Sequence, residues 1–300
     1  MKVGFIGIGN MGGAMASWLP KKGHHLVVHD LNEEIAKPLI DLGATWANSP
    51  KELATQSEVI CSMLPGPIEM EQVTLGENGI LEGIQPNTIY IDHTTNSPEL
   101  VKKVGTLISE KQAQMLDAPV MGDRISINEG VLTIYVGGNL ESFKKVQGIL
   151  ETMANQVLHV GELGNGSITK VALNALAMSI DLLTTECFTL AVKSGVKLPD
   201  LLNAVERAEI FGKNASLKRR LPGTLFKGKF LPSRFFLRLA YKDYRLFHEL
   251  MTLNKVPARL VSMCEMEMLE AINNGWEGHE RVISSTLQEK RSNVELRTED

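Results

Sequence analysis

Apolar and polar positions follow two different periods along the first half of the chain. Short apolar runs of strand length are separated by longer segments whose apolar residues recur as they do in an amphipathic helix. The runs predict strands over Lys2 to Ile8, His25 to His29, Glu58 to Leu64, Thr88 to Asp92, Met115 to Asp117, Leu132 to Val136 and Val157 to Val160. The segments between them predict helices over Met11 to Lys21, Glu33 to Leu42 and Pro98 to Glu110. Such alternation indicates βαβ units and a mainly parallel sheet.

The pattern changes after Gly161, where strand signals fade and long helical periodicity begins. Helices are predicted over Ser167 to Lys193, Pro199 to Glu206, Pro232 to Leu253 and Ala258 to Asn273. The first of them would be about 40 Å long, and Gly195 is placed to end it. We therefore predict an α/β N-terminal domain over residues 1–163, followed by an all-α C-terminal domain over residues 164–300.

The composition is typical of a soluble globular protein, with 43% hydrophobic and 22% charged residues and a formal net charge of -4. Nucleic-acid binders usually carry a basic stripe, so we expect no nucleic-acid partner. The longest apolar segment, Val171 to Val192, contains Asp181 and Glu186, which favours a buried helix over a membrane span. The chain opens on a strand-like run that lacks the features of a signal peptide.

The three cysteines, Cys61, Cys187 and Cys264, lie far apart in apolar stretches. No pair of them has the spacing of metal ligands, and an odd number does not make a disulfide framework. We therefore expect reduced, buried thiols, no metal site and a cytoplasmic location.

A glycine-rich turn follows the first predicted strand and opens the first predicted helix: Gly7-Ile8-Gly9-Asn10-Met11-Gly12. This spacing in this context is typical of a turn that holds a dinucleotide cofactor. The first glycine permits the tight turn, the second lets the backbone approach the pyrophosphate, and the third allows close packing of helix on strand. The amide groups at the helix N-terminus attract the phosphates. The turn therefore predicts a Rossmann-type doubly wound fold for the N-terminal domain.

An acidic residue, Asp30, ends the second predicted strand. It follows the last glycine of the turn at close to the spacing of about 20 residues expected for a carboxylate that binds the adenosine ribose hydroxyls. A carboxylate there repels the 2′-phosphate of NADP, and the next residue is Leu31 rather than an arginine that would bind this phosphate. We therefore expect NAD as the cofactor. In the alternative interpretation, Asp30 caps the following helix.

Further motifs extend from the glycine turn into the C-terminal half. They are Met63-Leu64-Pro65, Asp92-His93-Thr94-Thr95, Asp117-Ala118-Pro119-Val120, Gly130-Val131-Leu132-Thr133, Val136-Gly137-Gly138, the segment Gly164 to Asn174, and Lys242-Asp243. In this order, and with the opening Gly4 to Gly12, the chain resembles the β-hydroxyacid dehydrogenase family. That family includes 3-hydroxyisobutyrate dehydrogenase, tartronate semialdehyde reductase and, more distantly, 6-phosphogluconate dehydrogenase.

The resemblance implies an enzyme that transfers hydride between nicotinamide and the carbon that bears the 3-hydroxyl of a small acid or its semialdehyde. It implies Lys170 as the general acid/base and Asn174 as a catalytic residue that holds the substrate. Lys242 would lie near the nicotinamide and the substrate carboxylate. Three more residues would line the cofactor: Leu64, Pro65 and Thr95. The resemblance also implies a homodimer or a homotetramer.

The predicted helix supports a proton-transfer role for Lys170. It places Lys170 in the first turn, where the positive end of the helix dipole disfavours an ammonium group and lowers its pKa. A lysine tuned in this way can accept and return a proton near neutral pH. Asn174, four residues on, shares the same helical face. The competing interpretations are a solvated surface charge for Lys170, a surface lysine with a packed stem for Lys242, and a helix N-cap region for Thr95.

The chain departs from the family at Met121-Gly122-Asp123-Arg124. Most members have Ser-Gly-Gly at the first three positions, where the hydroxyl and the backbone amides hold the substrate carboxylate. Met121 removes the hydroxyl, Gly122 keeps the backbone, and Asp123 would repel a carboxylate. Arg124 would neutralise Asp123 or bind an anionic group itself. We therefore predict a substrate other than plain 3-hydroxyisobutyrate: a larger or more polar 3-hydroxy acid, or one with a cationic group.

Two other functions are compatible with a dinucleotide-binding chain of this kind. One is an imine reductase, which resembles this family but commonly replaces the lysine. The other is a non-catalytic dinucleotide-binding scaffold, and relatives of that kind have lost the lysine. The presence of Lys170 and Asn174 disfavours both. His93 stands where the family often has an apolar residue, and we expect it to make a structural hydrogen bond.

Overall fold

The computed structural model of the chain describes residues 1–122, 127, 132–208, 220–255, 257 and 259–298. The chain forms two compact units, Met1–Lys170 and Val171–Asp300. The long helix Asn165–Lys193 begins in the first unit and continues in the second. The domain ranges of 1–163 and 164–300 stay a prediction.

A nine-stranded sheet organises the first unit, in the order β3-β2-β1-β4-β5-β6-β8-β7, with β9 paired to β8. The pairs that connect β3 to β6 are parallel, and so is β8 with β9, whereas β8 is antiparallel to β6 and β7. The strands are β1 Lys2–Ile6, β2 His25–His29, β3 Thr45–Trp46, β4 Val59–Ser62, β5 Ile89–Asp92, β6 Gln114–Asp117, β7 Val120–Met121, β8 Thr133–Gly138 and β9 Gln156–Gly161. The strand order reverses at β1, which confirms the predicted Rossmann-type doubly wound fold.

The central strands are apolar along their whole length because helices cover both faces of the sheet. Every residue of β4 and β5 is buried. Consecutive residues of β4 belong to different cores, since Ile60 packs into one hydrophobic cluster and Cys61 into the other. Tyr90 and Ile91 of β5 divide in the same way.

Eight α-helices surround the sheet in the described part of the first unit. They are α1 Asn10–Ala16, α2 Trp18–Lys21, α3 Lys37–Ile40, α4 Pro50–Thr55, α5 Pro67–Leu75, α6 Ile80–Gly83, α7 Pro98–Glu110 and α8 Leu140–Met153. The single helix predicted from Met11 to Lys21 was wrong, because Pro20 has no amide hydrogen for the carbonyl of Ala16 and the helix breaks at Ser17. The helix predicted from Glu33 begins as a 3-10 turn, Glu33–Ala36, before α3.

The described elements of the second unit are helical apart from one isolated bridge between Phe236 and Glu280. They are α9 Asn165–Lys193, which the two units share, α10 Leu198–Ala208, α11 Leu221–Gly223, α12 Leu237–Leu253, α13 Arg259–Asn273 and α14 Thr286–Ser292, with 3-10 turns at Leu225–Lys227 and Arg281–Ser285. The helix predicted from Pro232 begins five residues later, at Leu237. Phe236 pairs with Glu280 in the isolated bridge, and the Phe235 carbonyl oxygen accepts a hydrogen bond from the Arg281 amide, which holds this segment outside the helix.

One stretch of α9, Asn165–Thr185, is long and apolar enough to cross a membrane by length and composition alone. Its most apolar 18 residues have a mean hydropathy of 1.2, and 50% of them are buried inside the protein. Core helices of soluble proteins meet the same criterion, so a single helix of this kind is weak evidence for a membrane span.

Candidate active site

The glycine turn after β1 has the geometry that each glycine was predicted to provide. Gly7 has φ +81, and a Cβ there would collide with the Met63 carbonyl oxygen. A Cβ on Gly12 would collide with the Gly7 carbonyl oxygen, so α1 packs on the turn only because Gly12 has no side chain. A Cβ on Gly9 would meet no atom of the described residues within 4 Å. The described part of the chain therefore leaves space in front of Gly9.

The start of α1 leaves the backbone accessible where a phosphate would bind. Gly9 is the N-cap residue, and no side chain caps this end of the helix. Gly9 and Asn10 are exposed, and Met11 is half-buried. Unsatisfied amide groups next to an open glycine fit the pyrophosphate of a dinucleotide.

Asp30 is tied to the glycine turn rather than to the helix that follows it. Its Oδ2 accepts a hydrogen bond of 2.8 Å from the Ile8 amide, and its Oδ1 accepts one of 3.3 Å from the Asn32 amide. The N-cap of the next helical turn is Asn32, whose side chain accepts from the Glu34 amide at 3.0 Å. Each carboxylate oxygen can accept a second hydrogen bond, so Asp30 keeps capacity for ribose hydroxyls. Leu31 is fully exposed.

The loops after β4 and β5 come together at the carboxyl edge of the sheet. The Leu64 amide donates a hydrogen bond of 3.1 Å to Thr94 Oγ1. Leu64 and Thr95 are half-buried, and Pro65 is exposed. In open α/β sheets, ligands bind outside the carboxyl ends of the strands. The structure thus places the predicted cofactor-lining residues Leu64, Pro65 and Thr95 at the expected edge.

His93 is fully buried, and its ring is stacked on that of Phe5 with the centroids 6.2 Å apart. Its Nδ1 lies 2.8 Å from the Ala118 carbonyl oxygen. Burial lowers the pKa of His93 to about 4. The imidazole is therefore neutral at pH 7, and its Nδ1–H donates the structural hydrogen bond expected from the sequence.

Two buried carboxylates that the sequence analysis gave no role hold the loops of the first unit. Asp92 accepts hydrogen bonds from Ser62, Thr94 and Asn96, and burial raises its pKa against these bonds. Asp117 is likewise buried, and burial raises its pKa against hydrogen bonds from the backbone amides near the start of α9. The available signal was a carboxylate at the end of each apolar strand.

The start of α9 is fixed by Asp117. Its Oδ1 accepts a hydrogen bond of 2.8 Å from the Gly164 amide, and its Oδ2 accepts one of 2.6 Å from the Ser167 amide. Gly166 lies close against β6 and β8, since a Cβ there would approach the carbonyl oxygens of Asp117 and Tyr135 to 2.6 Å. These contacts set the position of the helix turns that carry Lys170.

Lys170 is buried, with 7% of its surface exposed. Its Nζ lies 3.9 Å from the sulfur of Met121. The helix begins at Asn165, so Lys170 is in the second turn, and the prediction that it lies in the first turn was wrong. The helix dipole therefore acts only weakly on the Lys170 side chain, because its effect falls off within the first turn. The Gly164 amide, held by Asp117, starts the helix earlier than the apolar pattern indicated.

Asn174, one turn after Lys170 on the same helix, belongs to a buried polar cluster of the second unit. Its Nδ2 donates a hydrogen bond of 2.7 Å to Asp243 Oδ2. Lys242 Nζ lies 3.2 Å from Asp243 Oδ1. Asp243 is 2% exposed, and the side chain of Lys242 is 26% exposed. Lys242 is therefore ion-paired rather than extended along the surface, and Asp243 is a residue whose role the sequence analysis missed.

The segment predicted to bind the substrate carboxylate is described only in part. Met121 ends β7, and Gly122 has φ +138, a conformation that favours glycine. Asp123 and Arg124 lie outside the described residues. Within the described ranges, no group of three or more His, Cys, Asp or Glu side chains is arranged to hold a metal ion.

Family models match both halves of the chain. Residues 2–161 match the model described as the NAD binding domain of 6-phosphogluconate dehydrogenase. Residues 164–285 match the model described as NAD-binding of NADP-dependent 3-hydroxyisobutyrate dehydrogenase.

Curated relatives and solved structures agree with these matches. A probable mitochondrial 3-hydroxyisobutyrate dehydrogenase of Dictyostelium discoideum is 38% identical over 67% of this chain and 64% of its own length. An NAD-dependent L-serine dehydrogenase of Pseudomonas aeruginosa is 33% identical over 69% of this chain and 70% of its own length. The structure of Mycobacterium tuberculosis 3-hydroxyisobutyrate dehydrogenase with L-serine superposes with a TM-score of 0.82 at 23% identity, covering 95% of this chain and 98% of that one. The chain therefore belongs to the β-hydroxyacid dehydrogenase family, whose members bind a nicotinamide cofactor.

Proposed function

We propose that the protein is an NAD-dependent dehydrogenase that interconverts a small 3-hydroxy acid and its semialdehyde, with Lys170 as the general acid/base. The observation that carries this proposal is the burial of Lys170 one helical turn before Asn174. Lysine is among the residues least often buried in folded proteins. A buried ammonium or amine on the same helical face as an amide can hold a substrate hydroxyl and move its proton.

Each residue of this proposal has a separate task. The bound nicotinamide supplies the hydride acceptor for oxidation and the hydride donor for reduction. Lys170 Nζ takes the proton from the substrate hydroxyl during oxidation and returns it during reduction. Asp243 fixes the orientation of the Asn174 amide by accepting a hydrogen bond from its Nδ2. Lys242, which is ion-paired with Asp243, has further N–H groups that can donate to a substrate carboxylate.

NAD rather than NADP is proposed because of Asp30 and Leu31. The Asp30 carboxylate is held at the glycine turn by the Ile8 amide, where it would repel a 2′-phosphate. Leu31 offers no charge to such a phosphate. The relative from Pseudomonas aeruginosa, named as NAD-dependent, supports this preference, whereas the C-terminal family model is described for an NADP-dependent enzyme.

Replacing Leu31 with arginine is expected to raise kcat/KM for NADPH by about tenfold, since a charge-assisted hydrogen bond to the phosphate contributes about 1.5 to 3 kcal/mol, partly offset by Asp30. Because Leu31 is fully exposed, the change should leave Tm unaltered. Steady-state kinetics with both cofactors measure the effect. Leu31→Ala is the matched control and should gain nothing. A Leu31→Arg enzyme that uses NADPH no better than wild type would contradict this account of cofactor choice.

The substrate is proposed to differ from plain 3-hydroxyisobutyrate. Met121 lies beside Lys170 where most family members have a hydroxyl, so the side-chain hydrogen bond to a substrate carboxylate is absent at this position. Asp123 adds a negative charge that suits a cationic substituent. An amino-bearing 3-hydroxy acid is therefore the first candidate, and the name of the Pseudomonas aeruginosa relative points the same way. Larger or more polar 3-hydroxy acids are the alternatives.

Replacing Met121 with serine is expected to raise kcat/KM for 3-hydroxyisobutyrate by about tenfold, because a hydrogen bond to a charged group contributes about 1.5 to 3 kcal/mol. Met121→Leu keeps the volume and supplies no hydrogen bond, so it should leave the ratio of substrates unchanged. Initial rates with 3-hydroxyisobutyrate and with the preferred substrate measure both variants. Equal activity of the serine and leucine variants on 3-hydroxyisobutyrate would remove Met121 from substrate selection.

The proposed function is tested by following NADH formation with a panel of 3-hydroxy acids, wild type beside Lys170→Ala. The panel includes branched, sugar-derived, sulfonated and amino-bearing members. We expect lysine-dependent turnover of at least one member and poor turnover of 3-hydroxyisobutyrate. Absence of turnover across the panel, with NADH still bound, would favour the imine reductase or the non-catalytic scaffold. A cytoplasmic homodimer or homotetramer stays part of the proposal.

A further inference from the structure

The last residues of β4 and β5 are polar in an otherwise apolar pair of strands. Ser62 and Asp92 are register partners in the parallel ladder, and both are fully buried. Ser62 Oγ donates a hydrogen bond of 2.8 Å to Asp92 Oδ1. A buried carboxylate is costly unless its oxygens are hydrogen-bonded. Its presence at the edge where the cofactor loops begin calls for an explanation beyond packing.

Asp92 organises the turn that follows it. Its Oδ1 also accepts a hydrogen bond of 3.1 Å from the Thr94 amide, and its Oδ2 accepts one of 3.0 Å from Asn96 Nδ2. The orientation of Asn96 is fixed in turn, because its Oδ1 accepts 2.9 Å from the Ser97 amide. Both carboxylate oxygens are therefore engaged, and they hold residues 94–96 in one conformation.

The organised turn holds the neighbouring loop. Thr94 is 1% exposed, and its Oγ1 accepts the hydrogen bond of 3.1 Å from the Leu64 amide. Leu64 in turn packs against the glycine turn, since a Cβ on Gly7 would lie 2.9 Å from Leu64 Cδ2. A displacement at Asp92 would thus pass through Thr94 to the Leu64 loop and to the turn at Gly7.

The other end of the network is anchored in the hydrophobic core. Ser62 Oγ and Tyr90 OH lie 2.9 Å apart, and Thr74 Oγ1 lies 3.4 Å from Tyr90 OH. Because Ser62 gives its only hydrogen to Asp92, Tyr90 donates to Ser62 and Thr74 donates to Tyr90. Each hydroxyl of the network therefore donates toward the carboxylate, starting from Thr74 in the core.

We propose that Asp92 is a positioning residue for the nicotinamide half of the cofactor, acting through Thr94 on the loops after β4 and β5. This inference rests on the proposed function only in requiring a bound nicotinamide dinucleotide. Asp30 and the glycine turn take the adenosine ribose and the pyrophosphate on the β2 and β1 side of the place where the strand order reverses. The remaining half of a dinucleotide then extends over β4 and β5, the strands whose loops Asp92 fixes.

The test is direct binding of NADH and of ADP-ribose, which lacks the nicotinamide ring, to the full chain by calorimetry. Asp92→Asn keeps the shape but sets its new amide against the amide of Asn96, two donors facing each other. We expect the Kd of NADH to rise about tenfold, the effect of about 1.4 kcal/mol, with the Kd of ADP-ribose within about twofold of wild type. The exchange Asp92→Asn with Asn96→Asp restores a donor–acceptor pair and should recover most of the NADH affinity.

An unchanged NADH affinity in Asp92→Asn, or an equal loss for NADH and ADP-ribose, would overturn the proposal. If Asp92→Asn does not fold, Thr94→Val and Thr94→Ser decide the question. The valine lacks the acceptor for the Leu64 amide and should weaken NADH selectively, whereas the serine keeps it and should bind normally. Turnover is not used, so a wild-type enzyme that binds NADH without oxidising any hydroxy acid would defeat the proposed function and leave this inference intact.

Discussion

Lys170→Ala is expected to lower kcat for oxidation of the preferred 3-hydroxy acid by about a thousandfold, within the 10²–10⁴ range that a positioned acid/base contributes. Without the amine, no group of the chain in the proposed mechanism takes the hydroxyl proton. The alanine also leaves space around Met121, whose sulfur lies 3.9 Å from Lys170 Nζ. Small primary amines added to the assay could enter that space, and we expect them to restore part of the rate.

The cofactor-binding measurement separates loss of proton transfer from loss of structure. The contacts proposed for the cofactor involve the glycine turn and Asp30, so Lys170→Ala should bind NADH with close to wild-type affinity. Lys193→Ala is the matched control, because Lys193 lies on the same helix but is exposed and bonds only the Ser292 carbonyl oxygen among the contacts described. It should turn over normally. A Lys170→Ala enzyme with near-normal kcat would show that another group moves the proton.

The pH profile gives a second measurement of the same role. If Lys170 accepts the hydroxyl proton as a neutral amine, kcat/KM for oxidation should increase with pH in the wild-type enzyme. Lys170→Ala should lose this dependence, and rescue by amines should follow the pKa of the added amine. An unchanged profile in the variant would assign the titration to another group.

Sequence signals predicted the elements whose determinants are local. The helix predicted over Pro98 to Glu110 agrees with α7, because Ser97 caps it through the Leu100 amide and Pro98 suits the first turn. Pro232 carries a similar signal, yet no helix begins there. Glu280 and Arg281, more than 40 residues away, instead pair with the backbone of Phe236 and Phe235. Local patterns cannot contain a contact of that separation.

The residues of the candidate site also fall into those set by a local motif and those set by long-range contacts. The glycine turn is one contiguous motif, and its geometry follows from the residues themselves. The positions of the carboxylates had to come from the structure: Asp117 reaches Ser167 across 50 residues, and Asp243 reaches Asn174 across 69. In the sequence, each of these aspartates was part of a motif but had no assigned role. Their tasks, holding a helix start or an amide, depend on pairings that the topology creates.

Gly9→Ala is expected to weaken NADH binding by about tenfold to a hundredfold without changing stability, the range that corresponds to about 1 to 3 kcal/mol of overpacking. Gly9 has φ -63, which alanine adopts without strain, and among the residues that the structure describes a Cβ there meets no atom within 4 Å. The methyl group would instead occupy the space in which the pyrophosphate is expected to approach the backbone. Calorimetric titration with NADH and a thermal melt measure the two quantities.

Two other glycines make this prediction specific. Gly148 is exposed in α8 with nothing within 4 Å of a new Cβ, so Gly148→Ala should bind NADH normally and raise the stability of the helix slightly. Gly12→Ala places its methyl group against the Gly7 carbonyl oxygen and should lower both Tm and affinity, because the turn itself must move. Only Gly9→Ala should lower the NADH affinity without lowering Tm, because its methyl group meets other atoms only when the cofactor is bound. Wild-type affinity in Gly9→Ala would mean that the phosphates do not bind in front of Gly9, and the glycine turn would then be a structural feature of the fold alone.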